Sequence, residues 1–165
     1  MFVALSCALF FGFVSICIFK FGLLSCYSAY GPYWINVSGT IQLNWWSAIT
    51  FITAALLIPV LLENSDGNPW QFAGFFCPAL LMFVALTPEY GTNKLAGSVH
   101  SLSAGLSALF SVIYIICVTP QLWWILAVIY GISTVCTLIS GKYYWCFWFE
   151  MGAYASIYVA VFLII

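Results

Sequence analysis

The sequence has very few charged residues, and this scarcity excludes most soluble architectures. Among 165 residues there are three lysines, no arginine and four acids, so charged side chains make up 4% of the chain. A soluble domain carries about 25% charged residues, with which it covers its surface. Because 65% of the residues are hydrophobic and the mean hydropathy is +1.14, most of the surface must face lipid. We therefore predict an integral membrane protein.

Other absences narrow the range of functions. With a net charge of −1 and no arginine, the chain has no basic patch for phosphates, so we expect no nucleic-acid partner. The seven cysteines include no Cys-x-x-Cys pair and mostly fall within apolar runs, so we interpret them as small hydrophobic residues. There is one histidine, no Gly-x-Ser-x-Gly motif and no glycine-rich phosphate loop. We expect neither a metal nor a cofactor, and the sequence leans against an enzyme.

Six apolar runs are long enough to cross a membrane, which takes about 20 residues within a range of about 17–25. They are residues 2–19, 45–62, 70–87, 99–118, 122–140 and 143–165. Most connections are short polar turns with proline or glycine, and short connections make neighbouring helices antiparallel. The sequence predicts a single all-α domain over residues 1–165, a polytopic transmembrane helix bundle of about six spans.

The connection after the first run, residues 20–46, differs from the short turns. It contains too many polar, glycine and proline residues to span a membrane, yet it is too aromatic for a free loop. We expect it either to lie in the membrane interface or to fold back against the bundle.

The three lysines predict the orientation. Lys20, Lys94 and Lys142 fall in the first, third and fifth connections, which share one side of a six-span bundle. Positive residues mark the cytoplasmic side. We predict that both termini lie outside the cytoplasm. The expected partners are the lipid bilayer and either further copies of the chain or other membrane proteins.

One acid interrupts the last apolar run, in the stretch KYYWCFWFEMGAYASIY at 142–158. Glu150 lies eight residues past Lys142, about 12 Å along a helix, which places it below the membrane interface. An acid at the centre of a span costs about 2.5–3.5 kcal/mol, so it usually faces the bundle interior. Glu150 either binds a proton or cation, or is a neutral acid making one structural hydrogen bond.

His100 is the candidate partner of Glu150. It lies in GSVHSLSAGLSALFS at 97–111, in a helix that enters from the same side at a similar depth. A Glu–His pair would lower the cost of burying each group. Tyr154 and Tyr158 follow Glu150 at one and two helical turns, so a phenol can lie beside the acid. Tyr158 is a secondary polar candidate.

Two further acids are also secondary polar candidates. Glu63 and Glu89 lie in the connections that follow the second and third runs.

Small residues recur every four positions in the fourth and sixth runs. Gly97, Ser101 and Gly105 form one stripe, and Gly152 and Ser156 belong to another. Small side chains at this spacing allow two helices in a membrane to approach closely. We predict that these residues pack helices and that the fourth and sixth helices are central.

Four stretches of the chain carry a resemblance to a known group. They are FGLLSCYSAYGPYW (21–34), LLIPVLLE (56–63), MFVALTPEYGTNKLAGSVHSLSAG (82–105) and WCFWFEMGAYASIY (145–158). The chain resembles uncharacterised small multi-spanning membrane proteins of Bacteroidetes and their phages. The resemblance places Glu63, His100 and Glu150 on positions that carry the same residues in the group. It implies a membrane topology and adds no chemistry.

These observations favour a membrane accessory or interaction module with a structural buried Glu150–His100 pair. The alternative is a proton- or cation-coupled transporter or channel subunit that uses Glu150 and His100. A more remote alternative is a membrane enzyme that acts on lipids.

Overall fold

The computed structural model describes residues 1–38, 44–87 and 94–164, without the side chains of residues 35–38. Within these ranges the chain forms seven α-helices, three short 3₁₀ turns and no strand. The helices are α1 (Phe2–Phe21), α2 (Gly31–Ser38), α3 (Trp45–Asn64), α4 (Gln71–Leu86), α5 (Lys94–Cys117), α6 (Trp124–Ser140) and α7 (Trp145–Ile164). The 3₁₀ turns are Tyr27–Tyr30, Pro120–Leu122 and Lys142–Tyr144. The predicted all-α class is confirmed.

Five segments are long and apolar enough to cross a membrane: Phe2–Phe21, Trp45–Asn64, Lys94–Cys117, Pro120–Ser140 and Lys142–Ile164. These segments indicate an integral membrane protein. The predicted span at 70–87 corresponds to α4, an apolar helix of 16 residues. At 1.5 Å per residue α4 extends about 24 Å, against a hydrocarbon core of about 30 Å. The sixth span therefore stays a prediction.

Local sequence explains where several helices begin and end. α1 and α6 stop at Gly22 and Gly141, whose φ angles of 76° and 101° are ones that other residues rarely adopt. At the start of α3, the Asn44 side chain accepts a hydrogen bond from the Trp46 backbone N–H at 3.0 Å. This is an N-cap, which satisfies an amide that the helix itself leaves unpaired.

The helices from α3 to α5 pack in chain order, and within the described residues no single helix makes extensive contacts with all the others. α4 packs against both α3 and α5, α1 packs against α3, and α6 packs mainly against α7. α7 also contacts α1 and α5, which closes the bundle. Only 11% of the α6 span is buried, against 44% of the α7 span. α7 is thus the more interior of the last two helices, and α6 lies at the periphery.

The described part of the first connection folds back against the bundle. Tyr27 and Tyr30 are buried, and the Tyr30 hydroxyl donates to the Gly22 carbonyl at 2.8 Å. The Phe147 backbone N–H, in the first turn of α7, donates to the Ser25 carbonyl at 3.0 Å. The described part of this connection therefore has the folded-back position.

The packing face of α5 differs from the predicted stripe. Ser101 and Gly105 are exposed, and a Cβ added at Gly105 would meet no atom within 4 Å. The neighbouring stripe of Ser103, Ser107 and Ser111 is buried instead. The Ser107 hydroxyl donates to the Cys77 carbonyl of α4 at 2.7 Å. Serine on the inner face adds a hydrogen bond between helices, which glycine on the same face would not supply.

The predicted stripe of α7 does face its neighbours. A Cβ added at Gly152 would lie 2.6 Å from the Ser133 hydroxyl oxygen of α6, closer than real atoms approach. Ser156 is fully buried and donates to the Ala153 carbonyl at 2.9 Å. Gly97, on α5, is half-buried. Close helix approach thus occurs at Gly152, between α6 and α7.

Candidate functional site: the Glu150 cluster

Glu150 lies in the second turn of α7 and points at the folded-back connection. One of its carboxylate oxygens accepts the backbone N–H of Tyr27 at 2.6 Å. Tyr27 begins a 3₁₀ turn, so its N–H has no partner within the turn itself. The acid therefore satisfies a backbone donor that would otherwise be unpaired inside the bundle.

Two cysteines lie beside Glu150. The sulfurs of Cys26 and Cys146 and a carboxylate oxygen of Glu150 all lie within 4.8 Å of one another, and all three side chains are half-buried. We name these three residues the Glu150 cluster. Cys146 and Glu150 are four residues apart on α7 and share a face, whereas Cys26 arrives with the first connection.

The sequence alone did not predict this cluster. The Cys146–Glu150 spacing was the single signal available, because nothing local in the sequence indicates that Cys26 reaches α7.

Hydrogen bonds around Cys26 favour its thiolate form. Cys26 and Ser28 approach within 3.2 Å, sulfur to hydroxyl oxygen. A hydrogen bond from the neighbouring Cys146 thiol lowers the pKa of Cys26, and this effect outweighs burial, which raises the pKa. Burial raises the pKa of the two tyrosines of the same segment, Tyr27 and Tyr30, so both phenols stay neutral.

A cavity of about 60 Å³ adjoins the cluster. Its walls are mainly apolar, and the residues that line it include Glu150, Tyr154 and Trp46. The Trp46 indole N–H is fully buried and has no hydrogen-bond partner among the described residues. Tyr154 and Glu150 both line this cavity, one helical turn apart on α7. Tyr154 also stacks on Phe10, with ring centroids 3.9 Å apart.

His100 is buried in a different setting. Its Nδ1 lies 2.9 Å from the Thr87 carbonyl oxygen, at the C-terminal end of α4. A carbonyl only accepts, so Nδ1 carries the hydrogen in this contact. The imidazole ring also faces Trp46, with centroids 6.3 Å apart. Within the described residues, no hydrogen bond or ion pair joins His100 to Glu150, so the structure does not support the predicted pair.

Tyr158 belongs to a second polar group nearer the start of α1. Its hydroxyl lies 2.7 Å from the Ser6 hydroxyl, which donates to the Thr53 carbonyl at 2.8 Å. This contact joins α1, α3 and α7 through buried groups. The Tyr27 hydroxyl similarly meets the Thr50 hydroxyl at 3.0 Å.

Two secondary candidates from the sequence remain, Glu63 and Glu89. Glu63 is exposed in the last turn of α3. Glu89 lies outside the described residues.

Comparison of the chain with protein-family models, with curated proteins and with solved structures finds no match.

Proposed function

We propose that the chain is a non-catalytic integral membrane protein, an accessory or interaction module, in which Glu150 serves the fold. The observation that carries this proposal is the 2.6 Å hydrogen bond from the Tyr27 N–H to the Glu150 carboxylate. It gives the acid a structural partner, so no transported ion is needed to explain an acid within an apolar helix. The buried hydroxyls of Ser6, Thr53 and Ser107 likewise donate to backbone carbonyls.

The peripheral position of α6 supports an interaction role. Its outward residues include Ile132, Leu138 and Ile139, which are 58%, 75% and 82% exposed. We propose that further copies of the chain or other membrane proteins contact the bundle here, with lipid covering the rest. A photo-crosslinking residue placed at Ile132 should form discrete adducts with protein. The same residue placed at Ile52 of α3, which is 48% exposed, should label lipid. Equal labelling at both positions would contradict a preference for α6.

The proposed topology has six spans, with both termini outside the cytoplasm in a bacterial inner membrane. Lys20 lies in the last turn of α1, Lys94 opens α5 and Lys142 precedes α7. These helix ends share one side if the short helix α4 also crosses, and the resemblance of the four motifs supports a bacterial membrane. A C-terminal reporter active only in the cytoplasm would contradict this topology.

The alternative is a proton- or cation-conducting protein, and one observation favours it. Glu150 lines the cavity together with Tyr154 and the serines Ser107 and Ser111. An acid exposed to a cavity inside a membrane protein can bind a proton or cation.

A flux assay on Glu150→Gln separates the two functions. Glutamine keeps an oxygen that can accept from the Tyr27 N–H but cannot carry the negative charge. On our proposal, wild type and Glu150→Gln both elute as monodisperse protein, and neither conducts protons or monovalent cations in proteoliposomes. The exposed acid Glu63, changed to Gln, is the matched control. A flux present in wild type and Glu63→Gln but lost in Glu150→Gln would establish the conducting alternative.

A further inference from the structure

We propose that the Glu150 cluster binds a thiophilic divalent cation of the Zn²⁺ class. This inference goes beyond the proposed function and does not depend on it. Its ligands are the Cys26 and Cys146 sulfurs and a Glu150 carboxylate oxygen, whose mutual distances are all within 4.8 Å. Thiolate sulfur with one carboxylate oxygen is a donor set that Zn²⁺ accepts, while Ca²⁺ and Mg²⁺ require oxygen alone.

The spacing of the three donors is close to that of a metal site. Three points no more than 4.8 Å apart all lie within about 2.8 Å of one common point, whereas Zn²⁺ needs about 2.3 Å to sulfur and about 2.0–2.2 Å to oxygen. Each donor must therefore move by well under 1 Å, which small side-chain rotations provide. No helix has to shift to complete the site.

The backbone around Cys26 is held against α7 on both sides. Immediately before it, the Ser25 carbonyl accepts the Phe147 N–H at 3.0 Å, and immediately after it, the Tyr27 N–H donates to Glu150 at 2.6 Å. Cys26 is thus fixed opposite the helix face that carries Cys146 and Glu150. A donor held in this way loses little conformational freedom when a cation binds.

The chemistry of binding is balanced by proton release. Each cysteine that is still protonated loses its S–H proton as the metal–sulfur bond forms, so the two cysteines release at most two protons to solvent. Two thiolates and one carboxylate carry three negative charges, and a divalent cation reduces the total to one. The Ser28 hydroxyl, 3.2 Å from the Cys26 sulfur, can donate to the bound thiolate as an outer partner. Water would complete four-coordination.

Metal-protected alkylation tests the site in the unaltered protein. Detergent-solubilised full chain, fully reduced, is treated with a cysteine-alkylating reagent with and without Cd²⁺ or Zn²⁺, and each cysteine is measured by mass spectrometry. We expect the cation to slow the labelling of Cys26 and Cys146 together, at one equivalent per chain. Cys117 and Cys136, which are half-buried free thiols elsewhere, should label at unchanged rates.

Variants give the second arm of the test, with Co²⁺ as a spectroscopic probe. Wild type and Cys136→Ser should show thiolate-to-cobalt charge-transfer absorption, and Cys26→Ser or Cys146→Ser should lose it. Affinity should fall by more than about tenfold in either variant, since losing even an outer-shell partner costs roughly 10–100-fold. Glu150→Gln should weaken binding and keep part of the thiolate absorption.

Two results would overturn the metal site. One is the absence of protection and of thiolate absorption in wild type at cation concentrations well above micromolar. The other is protection of Cys117 and Cys136 to the same extent as the cluster, which would indicate non-specific thiol binding. Because the alkylation arm uses wild type, a variant that fails to fold does not affect the outcome.

Discussion

The close contact between α6 and α7 makes Gly152 a position where an added methyl group would meet a neighbouring helix. A Cβ there would lie 2.6 Å from the Ser133 hydroxyl oxygen and 3.6 Å from both the Ser133 Cβ and a Tyr130 ring carbon. The first distance is too short to persist, so Ser133 must rotate or the helices must separate. Overpacking of this kind costs about 1–3 kcal/mol. We expect the lower end, because the hydroxyl is small.

Gly105 is the matched control for Gly152. It also lies within a long apolar helix, but a Cβ there meets no atom within 4 Å. Replacing glycine by alanine in a helix gains up to about 1 kcal/mol from propensity alone. Gly105→Ala should therefore match or exceed the stability of wild type, whereas in Gly152→Ala the overpacking offsets this gain, so Gly152→Ala should be less stable than Gly105→Ala. Thermal unfolding in detergent is measured as the loss of monodisperse protein with rising temperature.

A rescue variant shows whether the hydroxyl contact causes the loss. Ser133→Ala removes the oxygen at 2.6 Å and leaves the Cβ at an ordinary contact distance of 3.6 Å. In the Gly152→Ala background, Ser133→Ala should restore the midpoint of thermal unfolding. The coupling energy between the two substitutions should lie within about 0.5–3 kcal/mol. The reasoning is refuted if Gly152→Ala is as stable as Gly105→Ala, or if Ser133→Ala fails to restore it.

Two further predictions concern the polar groups of the interior. His100→Leu removes the donor to the Thr87 carbonyl and should lower the free energy of unfolding by about 1–3 kcal/mol. In the double variant with Glu150→Gln the two effects should add within about 0.5 kcal/mol, since the two side chains have separate partners. Strong coupling in thermal unfolding would instead indicate that His100 and Glu150 interact. Tyr158→Phe and Ser6→Ala, by contrast, should be coupled by about 1 kcal/mol in a double-mutant cycle, because their hydroxyls lie 2.7 Å apart, and strictly additive effects would contradict that hydrogen bond.

Composition and length were sufficient to predict the six longer helices, whereas α2 (Gly31–Ser38) was not predicted. Apolar runs near 20 residues identify five long segments, and glycines at 22 and 141 supply the conformations in which α1 and α6 end. Length also explains the difference at α4, since the helix occupies Gln71–Leu86 and the flanking Trp70 and Thr87 cap it. Apolar character extends over these caps, so hydropathy alone overestimates the helix.

Partners across the fold were harder to predict than the helices themselves. His100 and Glu150 were paired because both are ionisable and enter from one side, yet each finds a backbone group instead: His100 a carbonyl and Glu150 an amide. Sequence separation and depth give no information about such backbone partners. For the same reason, the sequence does not predict that Cys26 contacts α7, since Cys26 lies 120 residues before Cys146 in the chain. Only the folded-back connection brings the two thiols together.

The acid in α7 and the shape of the first connection depend on each other. Non-helical backbone inside a membrane protein is tolerated only where each amide and carbonyl finds a partner. The connection turns inward at Cys26 and Tyr27, and α7 supplies both partners there, the Phe147 N–H for the Ser25 carbonyl and Glu150 for the Tyr27 N–H. A hydrophobic residue at 150 would remove the cost of the acid but leave the Tyr27 N–H unpaired, at about 1–3 kcal/mol. The acid is therefore explained by the backbone donor it satisfies, and its position one turn after Cys146 is what makes a cation site available.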